Sequence, residues 1–344
     1  EMLGQGVIRV ENNATLGVLT NSYGEAYVSG QGSQFWVLNN LTVGVAGAGV
    51  LRVADRGLAR VDGVMTVNAV SFVNMAGGTV RVDSGLGTIA NAGVIRGDGR
   101  IEGSIANGIG GELRAASLPG YVREKLLVTG DVTGGVIEAF GGEIEIQGAL
   151  TSPTEIRINN GIVRVGGVFT AGAAVDFTLS SDPAAIFAAS TSLSGDLTVN
   201  FGSGFNPSAT ETFTLISGGP VSGTFASENL PTGWNVYYLP TSVVLQNAAL
   251  PPIFAAADFN EDGFVDGTDL SLWQAGYGTG SGAAHGDGDA NTDGAVNGTD
   301  FLTWQRQFGS GAPAAPLVAA VPEPATLPLA VLAGLGLAAR RRAK

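Results

Sequence analysis

The sequence predicts a mainly β protein: a right-handed β-solenoid of the parallel β-helix kind, ended by a β-sheet cap, with a small helical module and a C-terminal apolar helix. Three observations carry this expectation. Glycine supplies 54 of 344 residues, beside abundant Val, Ile and Thr, and only 14% of residues are charged. That composition suits many short strands joined by tight turns. A five-residue phrase, apolar around an arginine, returns along the first half. An acidic pattern, "DFNEDGFVDGTDLSLWQ" from Asp258, returns as "DANTDGAVNGTDFLTWQ" from Asp289.

The phrase reads GVIRV from Gly6, GVLRV from Gly49, GTVRV from Gly78, GVIRG from Gly93 and GIVRV from Gly161. Alternate side chains of a strand face opposite sides. Ile8 and Val10 therefore oppose Arg9, Leu51 and Val53 oppose Arg52, Val80 and Val82 oppose Arg81, and Val163 and Val165 oppose Arg164. The aliphatic side points to a core and the arginine side to water. One such coil cannot bury its apolar face alone, so degenerate repeats over 1–167 predict stacked coils. "AYVSGQGSQFWVLNNLTVGVAGAGVLRVADRGLARVDG" (26–63) and "GVIRGDGRIEGSIANGIGGELRAASLPGYVREKLLVTGD" (93–131), with its Pro119-Gly120 turn, resemble the strand-rich repeats of autotransporter-passenger-like surface proteins.

Residues 168–248 alternate again, with Phe213, Leu215 and Val236 among the apolar positions, and predict a strand-rich region that caps the open solenoid edge. A Pro-containing linker (249–257) leads to the acidic repeat over 258–310, and a second linker covers 311–320.

In the first acidic copy, oxygen-bearing side chains fall at loop positions 1, 3, 5, 9 and 12: Asp258, Asn260, Asp262, Asp266 and Asp269, with Gly263 at 6 and Phe264 at 7. In the second they are Asp289, Asn291, Asp293, Asn297 and Asp300, with Gly294 at 6 and Ala295 at 7. This is calcium-loop spacing: Ca²⁺ takes six to eight oxygens, glycine at 6 folds the chain round the ion, and position 7 lends its carbonyl. Pro and Gly before each loop exclude an entering helix. After each loop Leu270, Trp273 and Tyr277 recur as Phe301, Trp304 and Phe308, one face of an exiting helix. Loop plus exiting helix, twice, with Asp at position 12, resembles a type I dockerin module built of paired F-hands. The resemblance implies two bound Ca²⁺ ions, held by these ten side chains and the carbonyls of Phe264 and Ala295. It also implies a partner-reading pair in each half, Gly267-Thr268 and Gly298-Thr299, and with it a cohesin-like partner. Asn297 is a weaker donor than Asp266, so the second site is expected to be the looser.

The chain ends "VPEPATLPLAVLAGLGLAARRRAK". The apolar run Leu327 to Ala339 would make a helix of about 20 Å, short of a hydrocarbon core of about 30 Å. Val321, Pro322, Glu323 and Pro324, then the apolar run, then Arg340, Arg341 and Arg342, are similar to a PEP-CTERM sorting signal. That resemblance implies recognition by an exosortase, transient anchoring in the inner membrane through the short helix, and delivery to the cell surface or the medium. The opening Glu1-Met2-Leu3-Gly4 has no basic, apolar leader and is read as a fragment or a processed chain.

Composition narrows the function further. There is no Cys, which excludes disulfides and a thiol nucleophile. A net charge of −13 argues against nucleic acid. The single His285 lies between the acidic loops, away from the solenoid. The solenoid acids Asp55, Asp62, Asp83, Asp98 and Glu102 form no obvious catalytic pair. The reading is an exported, non-enzymatic surface or matrix protein. Its rival is a polysaccharide lyase or glycoside hydrolase that uses the acidic module for docking. Outward Arg9, Arg52, Arg81, Arg96 and Arg164 raise a further expectation, an array for an anionic polysaccharide, weighed against a merely solubilising outer face.

Overall fold

The computed structural model describes residues 2–3, 6–83, 87–116, 124–172, 174–181, 184–250 and 253–310. The chain divides into two compact units, Glu1–Phe254 and Ala255–Lys344.

The first unit is a β-solenoid of three parallel ladders. One ladder runs through Tyr23–Ser29, Ala48–Ala54, Phe72–Val82, Val94–Glu102, Glu112–Ala116, Val136–Phe140, Glu155–Asn159, Ala174–Leu179 and Asp196–Phe201. A second includes Gln34–Val37, Leu58–Val61, Lys125–Val128, Glu143–Ile146, Ile162–Ala171 and Ala185–Leu193. The third is built of shorter strands such as Leu41–Val43, Met65–Val67, Thr88–Asn91 and Ser104–Asn107. Coil length varies: Val94 pairs with Glu112, whereas Glu25 pairs with Val50.

Register explains the core. Because strand side chains alternate with period two, in-register stacking places like over like. Ile95, Leu113, Ile137, Ile156, Val175 and Leu197 are successive partners, and each is buried. Burying each such side chain contributes about 1.5–3 kcal/mol relative to exposure. The neighbouring outward row reads Arg96, Arg114, Glu138, Arg157, Asp176. Leu51, Val53, Val80, Val82, Val163 and Val165 are in the core as their phrases predict. Ile8 is not: it is 46% exposed, and its strand Val7–Val10 pairs on one side, with Gln34–Val37. At Gly97 the backbone has φ +106°, and a Cβ there would run into the Met75 carbonyl, so glycine is required where Phe72–Val82 and Val94–Glu102 slip register.

Parallel stacking runs across residue 167, the expected boundary of the stalk, since Ile162–Ala171 spans it, and Asp196–Phe201 still pairs in parallel with Ser227–Asn229. Thr212–Gly218 changes the pattern. It is parallel to Ala185–Leu193 on one edge and antiparallel to Ser242–Asn247 on the other, which in turn pairs antiparallel with Trp234–Leu239. Phe201, Phe205, Phe213 and Trp234 pack ring to ring beside this sheet, with centroids 5.1–6.1 Å apart.

The second unit holds two ten-residue helices, α1 (Gly267–Gly276) and α2 (Gly298–Gln307), and a 3₁₀ turn, His285–Asp287. Among the described residues no α-helix precedes either loop, and a single 3₁₀ turn stands before the second. The expected helical face needs one correction: Tyr277 and Phe308 are C-caps, 61% and 59% exposed, rather than buried members of it. Among the described residues no helix is long and apolar enough to cross a membrane. Leu327 to Ala339, the linker 311–320, the sorting residues and Pro119-Gly120 lie outside the described residues.

The inward and outward rows predict unequal costs. In urea unfolding, Ile137→Ala is expected to lose about 2–5 kcal/mol, while Arg81→Ala, on the solvent-screened outer face, is expected to lose far less. Equal losses would contradict the assignment of faces.

Candidate functional site

The two acidic loops fold alike because their sequences impose the same bends. Position 4, Glu261 or Thr292, sits at φ 58° or 57°, and position 6, Gly263 or Gly294, at φ 86° or 82°. Two left-handed residues so close together curl the chain tightly, and the loop's own carboxylates hold the curl. Asp258 accepts the N–H groups of Asp262 (3.1 Å) and Gly263 (2.8 Å), and Asp289 those of Asp293 (3.3 Å) and Gly294 (2.7 Å). Asp262 accepts from the N–H of Phe264 and Asp293 from that of Ala295, each at 2.9 Å. The amides of Asn260 and Asn291 donate to Asp262 and Asp293 at 2.8 and 3.0 Å.

Positions 9 and 12 do something the sequence reading missed. Asp266 and Asn297 are the N-caps of α1 and α2 and accept from the N–H of Thr268 and Thr299. Asp269 and Asp300 return the bond, each accepting the N-cap N–H at 2.8 Å, which completes a capping box. Each also reaches back into its loop: Asp269 accepts from Phe259 and Asn260, and Asp300 from Ala290 and Asn291. The D-x-x-D and N-x-x-D spacings ahead of an apolar run are the signal that would have revealed the caps.

The donor set suits a hard cation. Asp258, Asp269, Asp289 and Asp300 are each no more than 1% exposed, and none forms an ion pair among the described residues. Anionic groups buried without a cation are costly. The position-7 carbonyls of Phe264 and Ala295 receive no hydrogen bond among the described residues. Each backbone-bonded carboxylate keeps further lone pairs. Among the described residues, however, no three His, Cys, Asp or Glu side chains are drawn together as a ready cage, because the position-1 and position-12 carboxylates are turned onto backbone N–H groups. Burial, opposed by the Gly263 N–H and reinforced by the Asp269 and Asp262 carboxylates, pushes Asp258 up to about 6.

Gly267, Thr268, Gly298 and Thr299 form the exposed first turns of the two helices, and a Cβ at either glycine would meet open space. His285 lies 3.6 Å from the Glu261 carboxylate, and its Nε2 is 3.2 Å from the Ala256 carbonyl, so it belongs to the second unit.

On the solenoid, all five outward arginines are engaged. Arg52 pairs with Glu25, Arg81 with Asp83 (2.7 Å) and Glu102 (3.8 Å), and Arg164 with Glu143 (3.3 Å). Arg96 bonds Asn74 and lies over Phe72, and Arg9 lies over the ring of Trp36. Arg60 and Arg100 extend the chain of pairs to Asp62, Asp83 and Glu102. Most of these acids come from a neighbouring coil or the same strand, so the row is largely self-neutralised and is not a free cationic array. Glu102, one of the acids weighed for catalysis, is held between Arg81 and Arg100.

Residues 320–342 match the PEP-CTERM protein-sorting motif. The match takes in Val321, Pro322, Glu323, Pro324, Arg340, Arg341 and Arg342, and the motif implies an exported protein that an exosortase recognises and sorts to the cell surface. No curated protein and no solved structure matches the chain.

The raised Asp258 carboxyl has a defined consequence in chelator. Between the ordinary Asp value of 3.8 and about 6, the folded state binds more protons than the unfolded state. The contribution of Asp258 to stability is therefore fully present below about 4 and falls as pH rises through 6. Melting in EDTA across this range is expected to show the decline, and Asp258→Asn is expected to remove it.

Proposed function

We propose that this chain is a non-enzymatic structural or adhesive protein of the bacterial cell surface or extracellular matrix, with a dockerin-like module stabilised by two Ca²⁺ ions. The PEP-CTERM motif carries the location, because it marks an exported chain handed to an exosortase. Support for the structural role comes from the solenoid surface, where arginines are committed to acids of adjacent strands and coils. Such exposed pairs are worth little individually, about 0–1 kcal/mol. Their part is to keep a long outer face soluble and mutually neutral while aliphatic stacking supplies stability.

The calcium reading is supported by the chemistry of the buried donors. In loop one Asp258, Asn260, Asp262, Asp266, Asp269 and the Phe264 carbonyl would hold the ion; in loop two, Asp289, Asn291, Asp293, Asn297, Asp300 and the Ala295 carbonyl. The ion would supply the positive charge that the four buried carboxylates lack, and those carboxylates, now turned onto backbone N–H groups of the curled loops, would turn toward it. Positions 9 and 12 also cap the helices, so metal occupancy and helix nucleation share the same side chains. The exposed Gly267-Thr268 and Gly298-Thr299 turns leave one equivalent surface per half for a cohesin-like partner.

Because ligand capture adds its binding free energy to the folded state, millimolar Ca²⁺ is expected to raise the melting of the second unit by several degrees over EDTA. The solenoid transition is expected to stay put. Calorimetric melting of the full chain in both conditions checks this; identical traces would remove the calcium reading.

A further inference from the structure

We infer that the outer face of the solenoid carries a pocket for a neutral sugar, built by successive coils around Gln147, Arg164 and Phe187. The strands Glu143–Ile146, Ile162–Ala171 and Ala185–Leu193 stack in parallel, and their register brings Glu145, Arg164 and Phe187 into one outward row. Beyond that row the face is cleared of side chains. A Cβ at Gly166 would come 2.4 Å from the Gln147 carbonyl, and one at Gly218, where φ is +135°, 2.1 Å from the Ala188 carbonyl, so close stacking of the coils demands glycine at both. The space left is a cavity of about 380 Å³ lined by Glu145, Gln147, Arg164, Gly166, Phe187 and Gly218 among others. That lies at the small end of ligand clefts, which run to about 300–1,000 Å³.

The polar groups round this cavity are held in place yet keep unused bonding capacity. Arg164 donates from Nε to Glu143 at 3.3 Å, and its guanidinium carbon lies 4.5 Å from the centroid of the Phe187 ring. Its two Nη groups have no partner among the described residues. One carboxylate oxygen of Glu145 pairs with Lys125, and the other accepts nothing among the described residues. Gln147 is exposed, and its amide makes no hydrogen bond among the described residues. The guanidinium can only donate, the carboxylate can only accept, and the amide does both. A hydroxyl also does both, so adjacent hydroxyls of a sugar ring can satisfy all three groups at once. Phe187, partly buried, adds an apolar wall for the C–H face of such a ring.

Charge sets the class of ligand. An anionic sugar acid would meet the Glu145 carboxylate, and a cation would meet the Arg164 guanidinium. Lys125 and Glu143, next along the face, are engaged with these same two residues and with each other. The net charge of −13 further disfavours an anionic polymer. A neutral polyol meets no such opposition. Because Glu143 and the Phe187 ring already hold Arg164, little side-chain freedom is lost on binding. Every residue of the pocket belongs to the first unit, so the inference does not depend on the calcium reading. It gives the adhesive role a chemistry.

The test is calorimetric titration of the full chain with three neutral disaccharides, cellobiose, maltose and N,N′-diacetylchitobiose, and with digalacturonic acid. At least one neutral disaccharide is expected to bind, one per chain, with an affinity unchanged between about 0.05 and 0.5 M NaCl because no ion pair forms to be screened. Digalacturonate is expected to bind at least about tenfold more weakly. Gln147→Ala and Glu145→Gln are each expected to weaken the neutral ligand at least about fivefold, and Phe187→Ala is expected to weaken it further. Arg81→Ala, elsewhere on the outer face, is expected to leave it unchanged. Should Phe187→Ala fail to fold, the two polar variants decide. No uptake of any of the three disaccharides, equal or tighter binding of digalacturonate, or binding indifferent to both polar variants would overturn the site.

Discussion

No repeat in this protein can close itself. A single coil of the solenoid presents a few aliphatic side chains on one face of three short strands, far too little to offset the entropy of ordering them. A single acidic loop with its helix presents one tryptophan and a few apolar residues. Both units meet the constraint in the same way, by letting the adjacent repeat cover what the first leaves open. In the solenoid the covering is in register, so Ile95 finds Leu113 and Leu113 finds Ile137. In the second unit it is reciprocal, so each helix donates a tryptophan to the other's cap.

The two units treat charge in opposite ways. The solenoid keeps its ionic groups on the outside, about a third to a half exposed in the case of Arg60, Arg81 and Arg100, and sets them against acids of the same strand or the next coil. Solvent screening makes each pair a small contributor, so register and solubility are what the row secures. The second unit buries four carboxylates instead, those of Asp258, Asp269, Asp289 and Asp300. Backbone N–H groups satisfy some of their lone pairs, yet the charge itself finds no basic side chain among the described residues. The divalent cation proposed for each loop would offset that imbalance, and the reciprocal packing of the two tryptophans accounts for the acidic phrase occurring twice, since one copy could not bury its own.

Much of this was legible in the sequence, where the physics is local. Alternation around Arg52, Arg81 and Arg164 gave the inward and outward faces, and glycine at position 6 of each loop gave the bend. Ile8 was misassigned because alternation says which way a side chain points, not whether a neighbouring strand covers it on both sides. Partners such as Glu25 for Arg52 and Glu143 for Arg164 were hidden because they lie a whole coil away, and coil length varies enough to blur the register. The crossing indole bonds were hidden for another reason: a backbone carbonyl accepts them, and a carbonyl leaves no mark on residue type. The capping boxes were visible in the D-x-x-D and N-x-x-D spacings but were masked by reading every acid as a metal ligand.

Amide hydrogen exchange on the full chain, in calcium and in EDTA, tests the account most directly. If neighbouring halves close each other around two ions, the amides of Gly263, Val265, Gly294 and Val296 are slow in calcium and lose protection together in EDTA. Solenoid amides such as that of Val136 would stay as they were. Equal protection of those four amides in both conditions, or loss in one half while the other stays protected, would contradict it.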